Sequence, residues 1–134
     1  MKTYVLDASA LFAFLQNKPS AHKVNELLKE AMRGRVEVLM STVSYGEVYG
    51  AIQLEYGPDR AASVMNAVRP LPIRLVDVTS AKACMAADVK LRYKLYYVDS
   101  VAAALAIEHK ATLVTSDADF KRLGHGVPTL WLKV

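Results

Sequence analysis

Cysteine is nearly absent from this 134-residue chain, where Cys84 stands alone. One thiol cannot close an internal disulfide, and the three histidines, His22, His109 and His125, are not at Cys/His zinc spacing. A disulfide-stapled or zinc-built mini-protein is therefore excluded. Cys84 lies in the apolar stretch Ala83-Cys84-Met85-Ala86, which predicts a thiol packed in the core rather than a nucleophile. Glycine occurs six times, with no Gly-rich phosphate loop among those positions. No apolar run approaches the ~20 residues of a membrane span. Only four residues separate Lys2 from Asp7, too few for the core of a secretory signal, so a cytoplasmic protein starting at Met1 is expected.

What is present is globular in character. Hydrophobic residues make up 53% and charged residues 22%, so the chain has enough apolar surface to fold without help. Its length is about that of one domain, able to bury roughly two-thirds of its unfolded surface. With no repeat, linker or low-complexity tract, a single domain over residues 1–134 is expected. The formal charge of +4, from 17 basic and 13 acidic residues, suits a polyanionic partner such as nucleic acid.

Periodicity and capping signals predict alternating strands and helices. Thr3 to Asp7 reads as a short buried strand, followed by a helix from Ser9 through Leu15 and an amphipathic helix from Pro19-Ser20 to about Arg33, closed by Gly34. Val36 to Met40 is a second strand; Ser41 or Thr42 caps a helix to Tyr56 that Gly57-Pro58 stops, and Asp59 starts another to about Val68. Beyond the loop holding Pro70 and Pro72 come a strand Ile73 to Val78 and a helix from Thr79 or Ser80 to Tyr93. The remainder reads as a helix Asp99 to about His109, a strand Thr112 to Thr115, a short helix Asp117 to Leu123 and an edge strand Thr129 to Leu132. Such alternation implies an α/β fold with a parallel sheet covered on both faces.

Four acids occupy unusual places in that plan. Asp7 ends the apolar run Tyr4-Val5-Leu6, Asp99 and Asp117 start helices, and Glu47 lies in an almost wholly apolar helix. An Asp at a helix start commonly accepts backbone N–H bonds, although Ser9 and Ser100 offer neighbouring caps. Asp7 and Asp117 also follow buried strands, and open α/β sheets bind ligands at the carboxyl ends of their strands. Around Glu47, Val43, Tyr45, Val48, Tyr49, Ile52 and Leu54 predict a helix buried over most of its circumference. A lone Glu there costs several kcal/mol unless a cation or hydrogen bonds compensate it. No Lys or Arg occurs between Arg35 and Arg60 to serve locally, which leaves a distant Arg or a metal ion. Ala102, Ala103 and Ala106 share a face with Asp99 and would let its helix approach the sheet, bringing Asp99 towards Asp7. Carboxylates gathered in this way repel one another unless a cation sits among them, and oxygen donors alone favour magnesium or manganese. Lys90, Arg92 and Lys94 before Asp99, and Lys121 and Arg122 after Asp117, are candidate phosphate contacts; ordinary solvated charges are the alternative.

Nearly the whole chain resembles the PIN-domain nucleases, and within them the small VapC-type toxins of prokaryotic toxin–antitoxin pairs. The resemblance rests on Val5-Leu6-Asp7-Ala8-Ser9, Ser44-Tyr45-Gly46-Glu47-Val48-Tyr49-Gly50, Asp99-Ser100-Val101-Ala102-Ala103-Ala104 and Leu113-Val114-Thr115-Ser116-Asp117-Ala118-Asp119-Phe120, in that order and spacing. It implies a three-layer α/β/α domain with a mainly parallel sheet of four or five strands. It further implies that Asp7, Glu47, Asp99 and Asp117 hold one or two Mg2+ or Mn2+ ions, with Ser9 and Thr115 orienting carboxylates or a metal-bound water and Asp119 in support. The implied activity is metal-dependent hydrolysis of RNA phosphodiesters by a toxin, and the implied partners are RNA, a cognate antitoxin and a second copy in a homodimer. An antitoxin would lay an apolar helix or tail against Phe12, Phe14 and tyrosines of the third helix, and a basic residue on it would enter the acidic crevice. One departure from relatives is Leu95-Tyr96-Tyr97, bulky where small residues are frequent, at the approach to the third acid. Other readings are a PIN nuclease of RNA maturation or decay without an antitoxin, a PIN-like protein that binds without cutting, and a phosphoacceptor receiver domain using Asp77.

Overall fold

The computed structural model describes residues Met1–Lys133. Five parallel strands, β1 (Lys2–Leu6), β2 (Val36–Ser41), β3 (Arg74–Val76), β4 (Thr112–Thr115) and β5 (Thr129–Trp131), form one sheet in the order β3-β2-β1-β4-β5. The helices are α1 (Ala8–Leu15), α2 (Ala21–Met32), α3 (Thr42–Tyr56), α4 (Pro58–Val68), α5 (Ser80–Tyr93) and α6 (Tyr97–Glu108), with a 3-10 helical segment Ala118–Gly126 before β5. Among the described residues no helix is long and apolar enough to cross a membrane.

Strand alternation creates the three layers. Val5, Leu39 and Leu113 turn to one face and pack with α5 and α6, whereas Leu6, Val38 and Val114 turn to the other and meet α1 and α2. Met40 joins Leu11, Val48, Ile52 and Met65 in a third cluster under α3 and α4. Every residue from Ser100 to Ala106 is buried, so α6 lies in the interior; its run of alanines supplies the slim profile that packs on Val5, Leu39 and Leu113.

Several boundaries move for local reasons. Asp7 itself caps α1, so the helix opens at Ala8 rather than at Ser9. Strand β3 is shorter than expected because its partner β2 ends at Ser41, which caps α3 and leaves nothing for Asp77 and Val78 to pair with. Helix α6 starts two residues early, at Tyr97, which places Asp99 inside its first turn. After Asp117 the chain winds as a 3-10 segment broken by Gly124, whose φ of 57° is a left-handed value that glycine adopts without strain.

Cys84 is exposed, contrary to the packed thiol its apolar neighbours suggest. Helix α5 buries Ala86 and Val89, and a residue two positions before Ala86 lies roughly 200° round the helix, on the far side.

Candidate metal centre

Strands β1 and β4 are neighbours, with Leu6 opposite Val114, so the chain leaving each strand emerges at the same sheet edge. Asp7 stands there, only 6% exposed. Its Oδ1 accepts from the Ala10 amide at 2.9 Å and from Ser9 Oγ at 2.7 Å, and its Oδ2 accepts from Thr115 Oγ1. Each hydroxyl is itself an acceptor: Ser9 Oγ takes the Ser116 amide and Thr115 Oγ1 the Asp117 amide, both at 2.9 Å. Both hydroxyls lie within donating distance of Asp7, and they are 3.2 Å from each other. This lattice ties β1, α1 and the exit of β4 around one carboxylate.

Asp117 caps the 3-10 segment, its Oδ1 accepting from the Asp119 amide at 2.9 Å. That turn sets Asp119 beside Asp117, and the first turn of α6 delivers Asp99 to the same spot. One carboxylate oxygen from each of Asp99, Asp117 and Asp119 lies within 4.8 Å of the others.

Glu47 sits across from them on α3. This helix buries one face only, Ser44, Val48 and Ile52, while Leu54 is 91% exposed, so it is not enclosed as its composition suggests. The spacing of those three residues is one stripe of a helix at the margin of the fold. Glu47 is exposed at residue level, yet its carboxyl is partly shielded by the crevice.

Electrostatics bind the group together. Loss of solvent pushes the Glu47 carboxyl up to about 7, and the charges of Asp99, Asp7 and Asp117 add to it. Asp99 is pushed up to about 6, first by burial and then by Asp117, Asp7 and Asp119. Burial also raises Asp7, outweighing the Ser9, Thr115 and Ala10 hydrogen bonds, and Asp117 raises it further. Among the described residues, no Lys, Arg or His forms an ion pair with any of these five acids. A hard octahedral cation with ligands at about 2.1 Å takes oxygens roughly 3–4 Å apart, and the Asp99, Asp117 and Asp119 oxygens lie within 4.8 Å of one another. The donor set, all oxygen and lacking a protein counter-charge, fits such an ion.

Metal-free stability should respond to this repulsion. A carboxyl whose folded pKa is raised binds protons that the unfolded chain has already lost, so stability is greatest below the unfolded value and declines as pH rises through the folded one. For Glu47 that window runs from 4.5 to about 7. Glu47→Gln removes the penalty and should stabilise the metal-free protein above that window by roughly 0.5–2 kcal/mol, after discounting for solvent screening. Urea unfolding of both proteins in chelator on either side of the window checks this; a variant that loses stability at high pH contradicts it.

The candidate phosphate contacts are all exposed. Arg122 Nη1 donates to the Lys94 carbonyl at 2.9 Å, joining the end of α5 to the 3-10 segment, and Arg92 lies 5.3 Å from the centroid of Tyr93. His22, His109 and His125 are outside the acidic group. Asp77 is exposed beyond edge strand β3, separated from β1 by β2, and is not among the charges that raise the clustered acids. A feature only partly anticipated is a groove of about 1080 Å3 between α1, α3 and α4, lined by Phe12, Leu15, Ile52, Tyr56 and Val64 and ending at Ser9 and Ser116. Phe12 was one of the apolar residues expected to remain available; the part played by α4 carries no separate sequence signal.

Comparison with known proteins bears on the fold. The PIN domain family profile matches residues 4–126. No curated protein sequence matches the chain. Among solved structures, a chain of VapBC2 from Rickettsia felis, bound to a DNA fragment from their promoter, superposes with TM-score 0.76 at 17% identity, over 98% of this chain and 99% of that one. A chain of DNA-bound VapBC from Salmonella typhimurium gives 0.75 at 14% identity, over 97% and 98%. Mycobacterium tuberculosis VapC20, a Sarcin-Ricin loop cleaving toxin, gives 0.69 at 17% identity, over 90% and 95%.

Proposed function

Because this chain belongs to the PIN domain family, we propose that it is a metal-dependent endoribonuclease, built as one PIN domain over residues 1–134 and acting in the cytoplasm as the toxin of a toxin–antitoxin pair. The observation that carries the proposal is the cluster of Asp99, Asp117 and Asp119, whose charges interact with Asp7 and Glu47 and which, among the described residues, form no ion pair with a Lys, Arg or His. Asp7, Glu47, Asp99 and Asp117 hold one or two Mg2+ or Mn2+ ions, with Asp119 in support. When bound, the cation supplies Lewis acidity and positive charge at the scissile phosphate. Ser9 and Thr115 donate to Asp7 and keep its carboxylate in one orientation. The Glu47 and Asp99 carboxyls, pushed up to about 7 and about 6, would have to be ionised to serve as ligands. Lys90, Arg92, Lys94, Lys121 and Arg122 receive the phosphates flanking the cut.

Proton release sets the pH dependence of loading. Metal affinity should rise as pH increases through about 6 and about 7, where Asp99 and Glu47 ionise. Calorimetric titration of Mn2+ in buffers of different ionisation enthalpy reads both affinity and released protons. An affinity flat across that range contradicts the assignment of these two ligands.

The groove beside the acids is the proposed seat of the antitoxin, whose apolar helix or tail would lie along Phe12, Leu15 and Ile52. Solved structures of similar fold that are VapBC or toxin–antitoxin complexes support an antitoxin partner. The protein is proposed to work as a homodimer, which light scattering would check.

The test is expression of the chain alone, followed by mapping of new RNA ends. Growth arrest with defined cleavage sites, relieved by the product of an adjacent small reading frame, supports the toxin. Cleavage without arrest or partner moves the protein to RNA maturation or decay; binding without new ends removes the nuclease.

A further inference from the structure

Two separate stretches of chain assemble the aspartate cluster. The turn from α5 into α6 leads to Asp99, whereas Asp117 caps the 3-10 segment and Asp119 lies in its first turn. One carboxylate oxygen from each lies within 4.8 Å of the others, so their spacing depends on how these stretches are held side by side. Their base is apolar: Leu95 before α6, and Phe120 and Leu123 of the 3-10 segment, are buried in one cluster with Tyr93 packed against it. Apolar burial is non-directional. A directed bond adds what such burial lacks, a fixed register.

That bond comes from Arg122. Its Nη1 donates to the Lys94 carbonyl at 2.9 Å, and among the described residues this is the one hydrogen bond between the 3-10 segment and the chain from α5 through α6. The acceptor is prepared by the way α5 ends. Lys94 takes a left-handed turn at φ 57° while its amide still bonds the Lys90 carbonyl at 2.8 Å. Carbonyls at a helix C-terminus have no partner within the helix, and the negative end of the dipole favours a guanidinium there. Lys94 precedes Asp99 by five residues and Arg122 follows Asp119 by three, so the bond joins the two stretches close to the acids they carry. A second contact lies beyond it: an added Cβ at Gly126 would sit 3.1 Å from the Tyr93 hydroxyl oxygen, so the tip of that ring already rests on the far end of the 3-10 segment.

We propose that Arg122 is a positioning residue for metal binding: by tying the α5–α6 turn to the 3-10 segment, it holds Asp99 in register with Asp117 and Asp119. This rests on the metal reading of the acids and adds a residue outside them on which the site depends. The bond uses one of the five N–H donors of a guanidinium, so phosphate contact through the others is compatible with it. Charge alone predicts the opposite sign. A fixed cation near an acidic site repels an incoming Mn2+, so its removal would tighten metal binding, whereas loss of a strap loosens it.

The test is calorimetric titration of Mn2+ into RNA-free wild type, Arg122→Met, Arg122→Lys and Lys121→Met, with thermal unfolding in parallel. Arg122 is exposed, so each variant should fold. Groups that orient metal ligands are worth about 10- to 100-fold in affinity, so Arg122→Met, which keeps a long chain but has no donor, should bind Mn2+ on the order of tenfold more weakly. Arg122→Lys restores a donor and should recover most of the loss. Lys121→Met removes the charge of an exposed neighbour and leaves the Arg122 bond in place, so it should bind Mn2+ as tightly as wild type or more so. Wild-type or tighter affinity in folded Arg122→Met, a Lys variant as weak as Met, or an equal loss in Lys121→Met overturns the proposal. Any of these, with a wild type that binds Mn2+, leaves the metal reading standing; a wild type that binds no Mn2+ removes both.

Discussion

Replacing Asp99 with Asn is expected to cut RNA cleavage by on the order of a hundredfold or more, since loss of a group that merely supports a metal ligand already costs about 10- to 100-fold. Asn keeps the size of the side chain and removes the negative oxygen that answers the cation. The fold should not suffer, because Asp99 accepts no side-chain hydrogen bond among those described and stands in the repulsive field of Asp117, Asp7 and Asp119. The check is kcat/KM over a range of Mn2+ concentrations, with thermal unfolding in parallel. A variant that is inactive but also unfolded would say nothing about ligation, so Asp117→Asn in the same assay provides a second ligand to remove.

Asp7 should behave in the opposite way on the stability axis. Asp7→Ala removes the cap of α1, leaves the buried Ala10 amide without its acceptor and leaves the Ser9 and Thr115 hydroxyls only each other, at 3.2 Å, to donate to. A lost cap costs about 1 kcal/mol and an unsatisfied buried group about 1–3, so roughly 2–4 kcal/mol of stability should go, with or without metal. Asp7→Asn retains an acceptor for the Ala10 amide and should lose less. Denaturant unfolding of the two variants beside Glu47→Gln separates the roles: the Glu47 change should stabilise the metal-free protein and the Asp7 changes should not. Capping by Asp7 and its proposed ligation are therefore compatible, one oxygen set serving fold and site together.

The sheet and most helices were legible because their signals are local. Tyr4-Val5-Leu6 and Leu113-Val114 read as buried strands on their own, and Gly57-Pro58 punctuates α3 and α4 as expected. Other features depend on partners that no local pattern reveals. Ser100 looks like a cap for α6, but its hydroxyl turns back to the Tyr96 carbonyl and the helix begins earlier without a polar cap. Helix α3 reads as enclosed from its composition; only the placement of α1 and α4 decides that one face packs and the rest borders an open groove. Asp119 entered the sequence reading only through the family resemblance, since the amide bond that sets it beside Asp117 belongs to a turn rather than to a periodic element. That Asp7 and Asp117 lie at the same end of the sheet was readable from topology, because acids after the parallel strands β1 and β4 emerge at the same end.

The central claim is that these carboxylates work by holding a divalent cation. The most direct measurement is the rate of RNA cleavage by chelator-stripped protein as Mg2+ or Mn2+ is titrated back. The account predicts no cleavage in chelator and saturable recovery with either ion, with Asp99→Asn unrecovered at metal concentrations that saturate wild type. Full-rate cleavage by the stripped protein, or recovery that is the same in Asp99→Asn, would contradict it.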